Sequence, residues 1–245
     1  MSAVRAFLYG VRTMLLAVLT VCVSLSLSTP FEAWMQDEPS VKASADTLPV
    51  IILDAGHGGE DSGAVGVGGV LEKELNLKIA LMLSDMLRAA GYRVILTRTE
   101  DKLLYTEAQN IKGQRKIYDL KNRLLVSEQQ PEAIFISIHM NTFPEASCKG
   151  LQVWYSPRHD HARQLAEAVQ GSVSRHLQKD NTRKVKKAGS HLYLLYHNPH
   201  PALLIECGFL SNAADSANLS EESYQKELSF VIFYAMMEWI TQTYA

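Results

Sequence analysis

Cysteine is scarce in this sequence, and no excess of basic residues sets it apart. Its three cysteines form no paired CxxC motifs, which excludes a disulfide-stapled miniprotein and a cysteine-based zinc framework. The net charge of -2 carries no basic signature, so nucleic acid is not an expected partner. Hydrophobic residues make up 47% and charged residues 20% of the 245 positions, which excludes a disordered chain and a multi-span membrane protein. The composition indicates a globular protein with a sizeable core.

Asp and Glu are absent from the first thirty residues. There Arg5 and Arg12 precede a short apolar run at positions 14–27, which ends in small residues. This order is typical of a secretory signal, and an uncleaved signal anchor looks nearly the same. We therefore interpret residues 1–30 as a signal peptide or signal anchor, residues 31–48 as a polar linker, and residues 49–245 as the main domain. The domain is expected to be exported and to contact the membrane only through the N-terminal segment.

From position 49 onward, short apolar runs alternate with amphipathic stretches. The runs predict strands at residues 50–53, 93–97, 133–138, 151–155, 191–195 and 202–205. Apolar residues recur at helical spacing in the regions 75–87, 111–128, 162–177 and 224–239. In the second of these helices, the residues expected to face the core are Ile117, Leu120, Leu124 and Leu125. The alternation predicts a single α/β domain with a largely parallel, twisted central sheet of about six strands flanked by helices.

Reactive side chains follow three of the predicted strands. The first strand runs into a glycine-rich loop, residues 56–71, which holds His57 and seven of the fourteen glycines. The strand at 133–138 is followed by His139 and the strand at 202–205 by Glu206, while Glu72 lies where the glycine-rich loop enters the first helix. Because ligands of open α/β sheets bind beyond the carboxyl ends of the strands, we expect these side chains to meet at one edge of the sheet.

Two imidazoles and one carboxylate are the protein ligands of many catalytic zinc ions, which keep one position open for water. His57 and His139 are the candidate imidazoles. Glu60 and Glu72 compete for the carboxylate position, because His57 and Glu60 have the HxxE spacing of zinc carboxypeptidases. Spacing alone does not choose between them. Glu206 is the candidate for a second carboxylate, which takes a proton from the zinc-bound water and passes it to the leaving amine.

Other reactive residues have simpler interpretations. The glycine-rich loop matches neither GxGxxG nor GxxxxGKS/T, so a nucleotide site is not indicated. Cys207 adjoins Glu206, but the alternation of side chains along a strand directs it to the opposite face, which argues against a cysteine nucleophile. Surface or turn positions account for a basic run at 183–187 and for five further histidines, His159, His161, His191, His197 and His200.

Four segments carry a family resemblance. Their sequences are VIILDAGHGG at 50–59, EKELNL at 72–77, ISIHMN at 136–141 and LIECGFLSN at 204–212. In sequence and order they resemble the zinc-dependent N-acetylmuramoyl-L-alanine amidases of the amidase-3 type. The resemblance implies that His57, Glu72 and His139 bind Zn2+, and that Glu206 is the catalytic carboxylate. It thereby favours Glu72 over Glu60 as the third ligand, and it makes residues 49–245 a zinc amidase catalytic domain.

The same resemblance implies hydrolysis of the amide bond between N-acetylmuramic acid and L-alanine in peptidoglycan. Two further features resemble those of the germination-specific amidases of the spore cortex. The sequence shows no appended cell-wall-binding repeats, and it has the pair Phe143-Pro144 after His139. Such a role implies action outside the cytoplasmic membrane, in the cell wall or the spore intermembrane space, and leaves room for an activating protein partner. Two alternatives stay open: a zinc carboxypeptidase acting on cell-wall peptides and an inactive peptidoglycan-binding module.

Overall fold

A computed structural model describes residues 48–244 of the chain. The predicted signal segment and the predicted linker up to residue 47 lie outside the described residues. The strands are β1 (Val50–Ala55), β2 (Val94–Leu96), β3 (Ala133–Asn141), β4 (Gln152–Tyr155), β5 (Lys186–Lys187) and β6 (Ala202–Phe209). The α-helices are α1 (Glu72–Ala89), α2 (Arg115–Glu128), α3 (Asp160–His176), α4 (Tyr193–His197), α5 (Ala213–Ser220) and α6 (Glu222–Tyr244). Within residues 48–244, no helix combines the length and the apolar character that a membrane crossing requires.

The six strands form one sheet in the order β2-β1-β3-β6-β4-β5. Strands β2, β1, β3 and β6 run parallel, β4 is antiparallel to β6, and β5 is parallel to β4. β1 and β3 are buried along nearly their whole length, as expected of parallel strands that are covered on both faces. The prediction of a single α/β domain with a largely parallel sheet of about six strands is confirmed.

One face of the sheet, which we call the apolar face, carries the larger core. Alternate residues of the central strands point into it, among them Leu53 and Ile136. They form one buried cluster with Ile79 of α1, Val169 of α3 and Ile232 of α6. The removal of so much apolar surface from water is the main contribution to the stability of the domain.

The opposite face, which we call the site face, has a smaller core and becomes polar toward the carboxyl ends of the strands. Phe135 of β3 and Leu204 of β6 belong to the smaller core, together with residues of α2 and α4. Ser137 and Glu206 lie two residues further along these strands and point to the same face. Asp54 of β1 is the register partner of Ser137 and points to this face as well. The change from apolar to polar side chains marks the edge at which the candidate site lies.

The structure corrects the predicted orientation of α2. Ile117 and Leu125, predicted to face the core, are 53% and 46% exposed. The inward stripe is instead formed by Asp119, Arg123 and Ser127, which are buried at four-residue spacing. The stripe is polar because Arg123 forms an ion pair with Asp119, so a count of apolar residues misplaces the face. The other two predicted inward residues do contact the smaller core: Leu120 and Leu124.

The predicted strand at 191–195 is wrong. A turn and the short helix α4 occupy this region, and the sixth strand is β5, which pairs with β4. Leu194 and Leu195 are both buried, because the helical backbone turns the two neighbours toward the smaller core. An apolar run of only five residues does not distinguish a strand from a helix by its periodicity.

Candidate functional site

His139 and Glu206 lie side by side at the carboxyl edge of the sheet. They are register partners in the parallel strands β3 and β6, so both side chains leave the sheet on the site face. The strands extend beyond their predicted ends, to Asn141 and Phe209, and the register shifts after His139. Both candidate residues therefore lie within regular strands, which hold them more rigidly than a loop does.

His57 follows β1 in a left-handed backbone conformation with a φ of 61°. For a residue with a side chain, this conformation costs about 1–3 kcal/mol and is concentrated at functional sites. Gly56 has no room for a side chain, because a Cβ there would overlap the imidazole ring of His139. The glycine thus lets the end of β1 approach His139, and the two imidazole rings lie edge to face with centroids 4.9 Å apart.

Glu72, the first residue of α1, lies between the two imidazoles. Its Oε1 is 3.2 Å from His57 Nε2 and 2.9 Å from His139 Nδ1. Main-chain amides hold the carboxylate, since Met140 N–H donates to Oε1 (3.0 Å) and Ala64 N–H donates to Oε2 (2.8 Å). Burial favours the neutral acid, but the two imidazoles outweigh it and hold the pKa of Glu72 well below its usual range. Glu72 is therefore an anion, as a metal ligand must be.

The donor atoms of His57, Glu72 and His139 fit a zinc ion in chemistry and in spacing. One donor atom from each residue lies within 4.8 Å of the other two. Ligand atoms of a tetrahedral zinc ion lie about 3.4 Å apart when the metal–ligand distances are about 2.1 Å, and the contacts of Glu72 measure 2.9 and 3.2 Å. The structure thus brings together the three residues that the sequence singles out as metal ligands.

Asp61 is a neighbour of this cluster that the sequence reasoning missed. Its Oδ2 is 2.9 Å from His57 Nδ1, the ring nitrogen that faces away from Glu72. Burial lowers the pKa of the His57 imidazole, but the carboxylates of Asp61 and Glu72 outweigh burial and raise it to about 9. The two carboxylates beside the imidazole make this site favourable for a cation. In metal sites, a carboxylate that contacts a histidine ligand without binding the metal itself orients that histidine.

Glu206 is largely buried, and its Oε2 has no hydrogen-bond partner among the described residues. Burial raises the pKa of this carboxyl group to about 7, and the charge of Glu72 acts in the same direction against the opposing effect of the imidazoles. A divalent cation bound nearby would lower this pKa. Glu206 is thus a carboxyl group that can exchange protons close to neutral pH, the property required of a general acid and base.

Two alternatives from the sequence lie apart from the cluster. Glu60 is exposed, and its Oε2 accepts a hydrogen bond from Arg115 (2.6 Å). Because Gly58 and Gly59 also have positive φ angles, the HxxE segment is not helical and does not align its two ends. Cys207 lies in the larger core on the apolar face, where burial raises the pKa of its thiol far above the usual range.

A cavity of about 290 Å³ opens on the site face beside His57 and His139. Its wall includes Lys116 of α2, with His191 and Tyr193 near the start of α4. His191 lies in the turn that replaces the start of the predicted strand at 191–195, and its place beside the site was not predicted. No local pattern in the sequence indicates this, because only the fold brings α2 and α4 next to the ends of β1 and β3. The cavity provides room for part of a substrate.

A buried ionic network beneath the candidate ligands was also missed. Asp54 accepts hydrogen bonds from Arg123 (2.6 Å), Thr97 (2.7 Å) and Ser137 (2.6 Å). Burial alone would raise the pKa of Asp54, but Arg123 and the hydroxyl of Ser137 lower it. A sequence signal did exist, since Asp54 directly follows an apolar strand where a carboxylate needs a partner.

Comparison with known proteins gives one consistent family. A sequence profile described as N-acetylmuramoyl-L-alanine amidase matches residues 51–237. The germination-specific N-acetylmuramoyl-L-alanine amidase of Bacillus subtilis is 34% identical over 193 residues, which cover 79% of this chain and 80% of that protein. The structure of the CwlD amidase from Clostridioides difficile, in complex with the GerS lipoprotein, has 36% identity and a TM-score of 0.76, and the match covers 79% of this chain and 99% of that one.

A second solved structure supports the same assignment. The catalytic domain of CwlV, an N-acetylmuramoyl-L-alanine amidase from Bacillus (Paenibacillus) polymyxa, has 28% identity and a TM-score of 0.66 over 79% of this chain and 99% of that one. The predicted enzyme class is therefore confirmed. As its four motifs predict, the chain belongs to the N-acetylmuramoyl-L-alanine amidase family, whose members act on peptidoglycan.

Proposed function

We propose that this amidase depends on zinc, with His57, Glu72 and His139 as the metal ligands and Glu206 as the catalytic carboxylate. The observation that carries the proposal is the cluster of the three donor atoms within 4.8 Å, next to the carboxyl group of Glu206, whose Oε2 is buried and has no hydrogen-bond partner within residues 48–244. Two imidazoles and a carboxylate leave a coordination position open, which distinguishes a catalytic zinc site from a structural one.

Zinc, when bound, would polarise the scissile carbonyl and lower the pKa of a water molecule. The chain orients the ligands for this role. Asp61 Oδ2 lies 2.9 Å from His57 Nδ1, and a carboxylate at that position favours the tautomer in which Nε2 keeps its lone pair for the metal. The amides of Met140 and Ala64 fix the carboxylate of Glu72, and the strand backbone of β3 fixes His139. The geometry of the site is therefore set before the substrate arrives.

Glu206 supplies the proton transfers of the proposed reaction. As a carboxylate it takes a proton from the attacking water, while the oxygen of that water bonds to the lactyl carbonyl carbon of N-acetylmuramic acid. Glu206 then gives this proton to the nitrogen of L-alanine as the C–N bond breaks. The products are a carboxylate on the glycan and a stem peptide with a free amino group. Burial raises the pKa of Glu206 to about 7 in the metal-free site, and a bound cation would lower it, which favours the carboxylate form that acts as the base.

We further propose that the substrate is the peptidoglycan of the spore cortex and that the enzyme acts outside the cytoplasmic membrane. The germination-specific relative from Bacillus subtilis supports this role, as does the Phe143-Pro144 pair. Phe143 is 54% exposed, and its N–H donates to the hydroxyl of Ser211 beyond β6. By analogy with the CwlD–GerS complex, a lipoprotein is the proposed protein partner. Anchoring through residues 1–30 stays a prediction from the sequence.

One product analysis tests the reaction. Purified protein is incubated with peptidoglycan and zinc, with and without a chelator, and the products are identified by mass spectrometry. We expect intact stem peptides with a new L-alanine amino terminus, and their loss when zinc is removed. Release of single C-terminal amino acids would indicate the carboxypeptidase instead. Hydrolysis that continues at full rate in the metal-free protein would contradict zinc dependence.

A further inference from the structure

Two arginine side chains lie almost fully buried beneath the glycine-rich loop. Arg98, just after β2, and Arg123, in α2, expose 2% and 1% of their surface. A buried guanidinium group destabilises a protein unless its N–H groups are paired. Arg123 forms ion pairs with the buried carboxylates of Asp54 (2.6 Å) and Asp119 (2.9 Å). The hydrogen bonds of Arg98, by contrast, go to main-chain carbonyl groups.

The two guanidinium groups bind the carbonyl oxygens of three consecutive residues. Arg98 donates to Ala55 O (2.8 Å) and Gly56 O (2.9 Å), while Arg123 donates to Ala55 O (2.7 Å) and His57 O (2.7 Å). These are the residues at which β1 ends and the chain enters the left-handed conformation of His57. The hydrogen bonds therefore stabilise a backbone conformation that is unfavourable by itself.

Arg98 also connects the segments that carry the other two ligands. It donates a hydrogen bond to the carbonyl oxygen of Lys73 (2.7 Å), the residue that follows Glu72 at the start of α1. It further binds the carbonyl of Gly56, and Gly56 lies against the ring of His139 with no room for a Cβ. Through these contacts Arg98 is linked to the backbone next to His57 and Glu72 and, by way of Gly56, to the ring of His139.

We propose that Arg98 and Arg123 are positioning residues, a guanidinium brace that holds the three metal ligands in their zinc-binding arrangement before the metal binds. The inference rests on the proposed zinc dependence. Ligands that are ordered in advance bind a metal more tightly, because less conformational entropy is lost on binding. A merely structural role would lower the stability of the metal-free protein without changing zinc affinity, whereas a positioning role weakens zinc binding.

The test replaces Arg98 with lysine, which keeps the charge but loses the planar fork that binds several carbonyls at once. Arg183→Lys is the matched control, since Arg183 Nε donates to the main-chain carbonyl of Lys149 (2.8 Å) outside the brace. Zinc dissociation constants are measured on the full chain by competition with a chromophoric chelator. We expect Arg98→Lys to weaken zinc binding about 10- to 100-fold and to shift the absorption bands of the cobalt-substituted protein, and Arg183→Lys to change neither.

The outcomes separate this inference from the proposal on which it rests. Unchanged zinc affinity in Arg98→Lys would overturn the brace and leave zinc dependence intact. A wild-type protein that binds no zinc would overturn zinc dependence itself. If Arg98→Lys does not fold, the isosteric Thr97→Val removes a 2.7 Å hydrogen bond to Asp54, the carboxylate that orients Arg123. Zinc affinity reduced about threefold or more in Thr97→Val supports the brace, and unchanged affinity contradicts it.

Discussion

The apolar face and the site face of the central sheet are built from the same strands, but they bury different chemistry. On the apolar face, Leu53 and Ile136 belong to one buried cluster with residues of three long helices. One residue further along each strand, on the site face, Asp54 and Ser137 are buried and joined by a hydrogen bond of 2.6 Å. Because side chains alternate along a strand, a single position separates a residue that stabilises the fold from one that supports the site.

This difference explains how the protein stays folded with a buried polar site. The buried polar groups of the site face lose hydration on folding, and ion pairs such as Asp54–Arg123 recover that loss only in part. The apolar face contributes the hydrophobic burial that offsets the cost. We therefore expect substitutions on the apolar face to change mainly stability, and substitutions on the site face to change mainly zinc binding or catalysis.

The largest effect is expected from Glu206→Gln on the site face. The amide cannot carry the proton from water to the leaving nitrogen, so amidase activity should fall about 10²- to 10⁴-fold. Zinc content should stay the same, because Glu206 is not a proposed ligand. Rates of stem-peptide release and metal content by atomic absorption check both points. Comparable hydrolysis by the metal-loaded variant would remove Glu206 from the mechanism.

Leu165→Ala probes the apolar face. The side chain of Leu165 in α3 is fully buried in the larger core, so its truncation should lower the free energy of unfolding by about 2–5 kcal/mol. Zinc affinity and the activity of the folded fraction should not change, since α3 carries no candidate site residue. Denaturant unfolding and chelator competition measure the two properties. Zinc affinity that falls along with stability would show that the faces are coupled.

A pH series on the zinc-free protein tests the environment of Glu206. The folded-state pKa of about 7 lies above the usual 4.5, so the folded state keeps this proton to higher pH than the unfolded state. The contribution of Glu206 to the free energy of unfolding is therefore fully present below about pH 4.5. It is lost as the pH rises to about 7, and the total loss is about 3 kcal/mol. Glu206→Gln lacks this loss. The free energy of unfolding of Glu206→Gln, measured relative to wild type, should therefore rise between about pH 4.5 and about pH 7. A difference between the two proteins that stays constant over this pH range would contradict the raised pKa of Glu206.

The strands that carry the site were predictable, because their signals are local. Apolar runs followed at once by His139 and Glu206 indicate strands that end in functional groups, and strand topology then places those ends together. The preference for Glu72 over Glu60 came from the family resemblance and not from spacing. The structure places Glu72 beside the two imidazoles and Glu60 away from them, because of positive φ angles at the start of the glycine-rich loop that a count of intervening residues does not reveal.

The parts that were missed depend on contacts between distant segments. The inward stripe of α2 can be polar because Arg123 forms ion pairs with Asp119 and with Asp54, which lies 69 positions away in the sequence. The cavity wall joins α2 to the turn before α4, and the short helix α4 replaces a predicted strand. Periodicity reports which residues are apolar, but it does not report which buried polar residues find partners.

The smallest effect is expected from Glu60→Gln. The Glu60–Arg115 ion pair is partly exposed to solvent, and exposed pairs of this kind contribute at most about 1 kcal/mol to stability. Zinc affinity and amidase rate should equal those of wild type, whereas Glu72→Gln should lose zinc binding. Isothermal titration of both variants with zinc decides the matter. If Glu60→Gln lost zinc and Glu72→Gln kept it, the HxxE interpretation would replace the His57–Glu72–His139 set, and the glycine-rich loop would have to rearrange when metal binds.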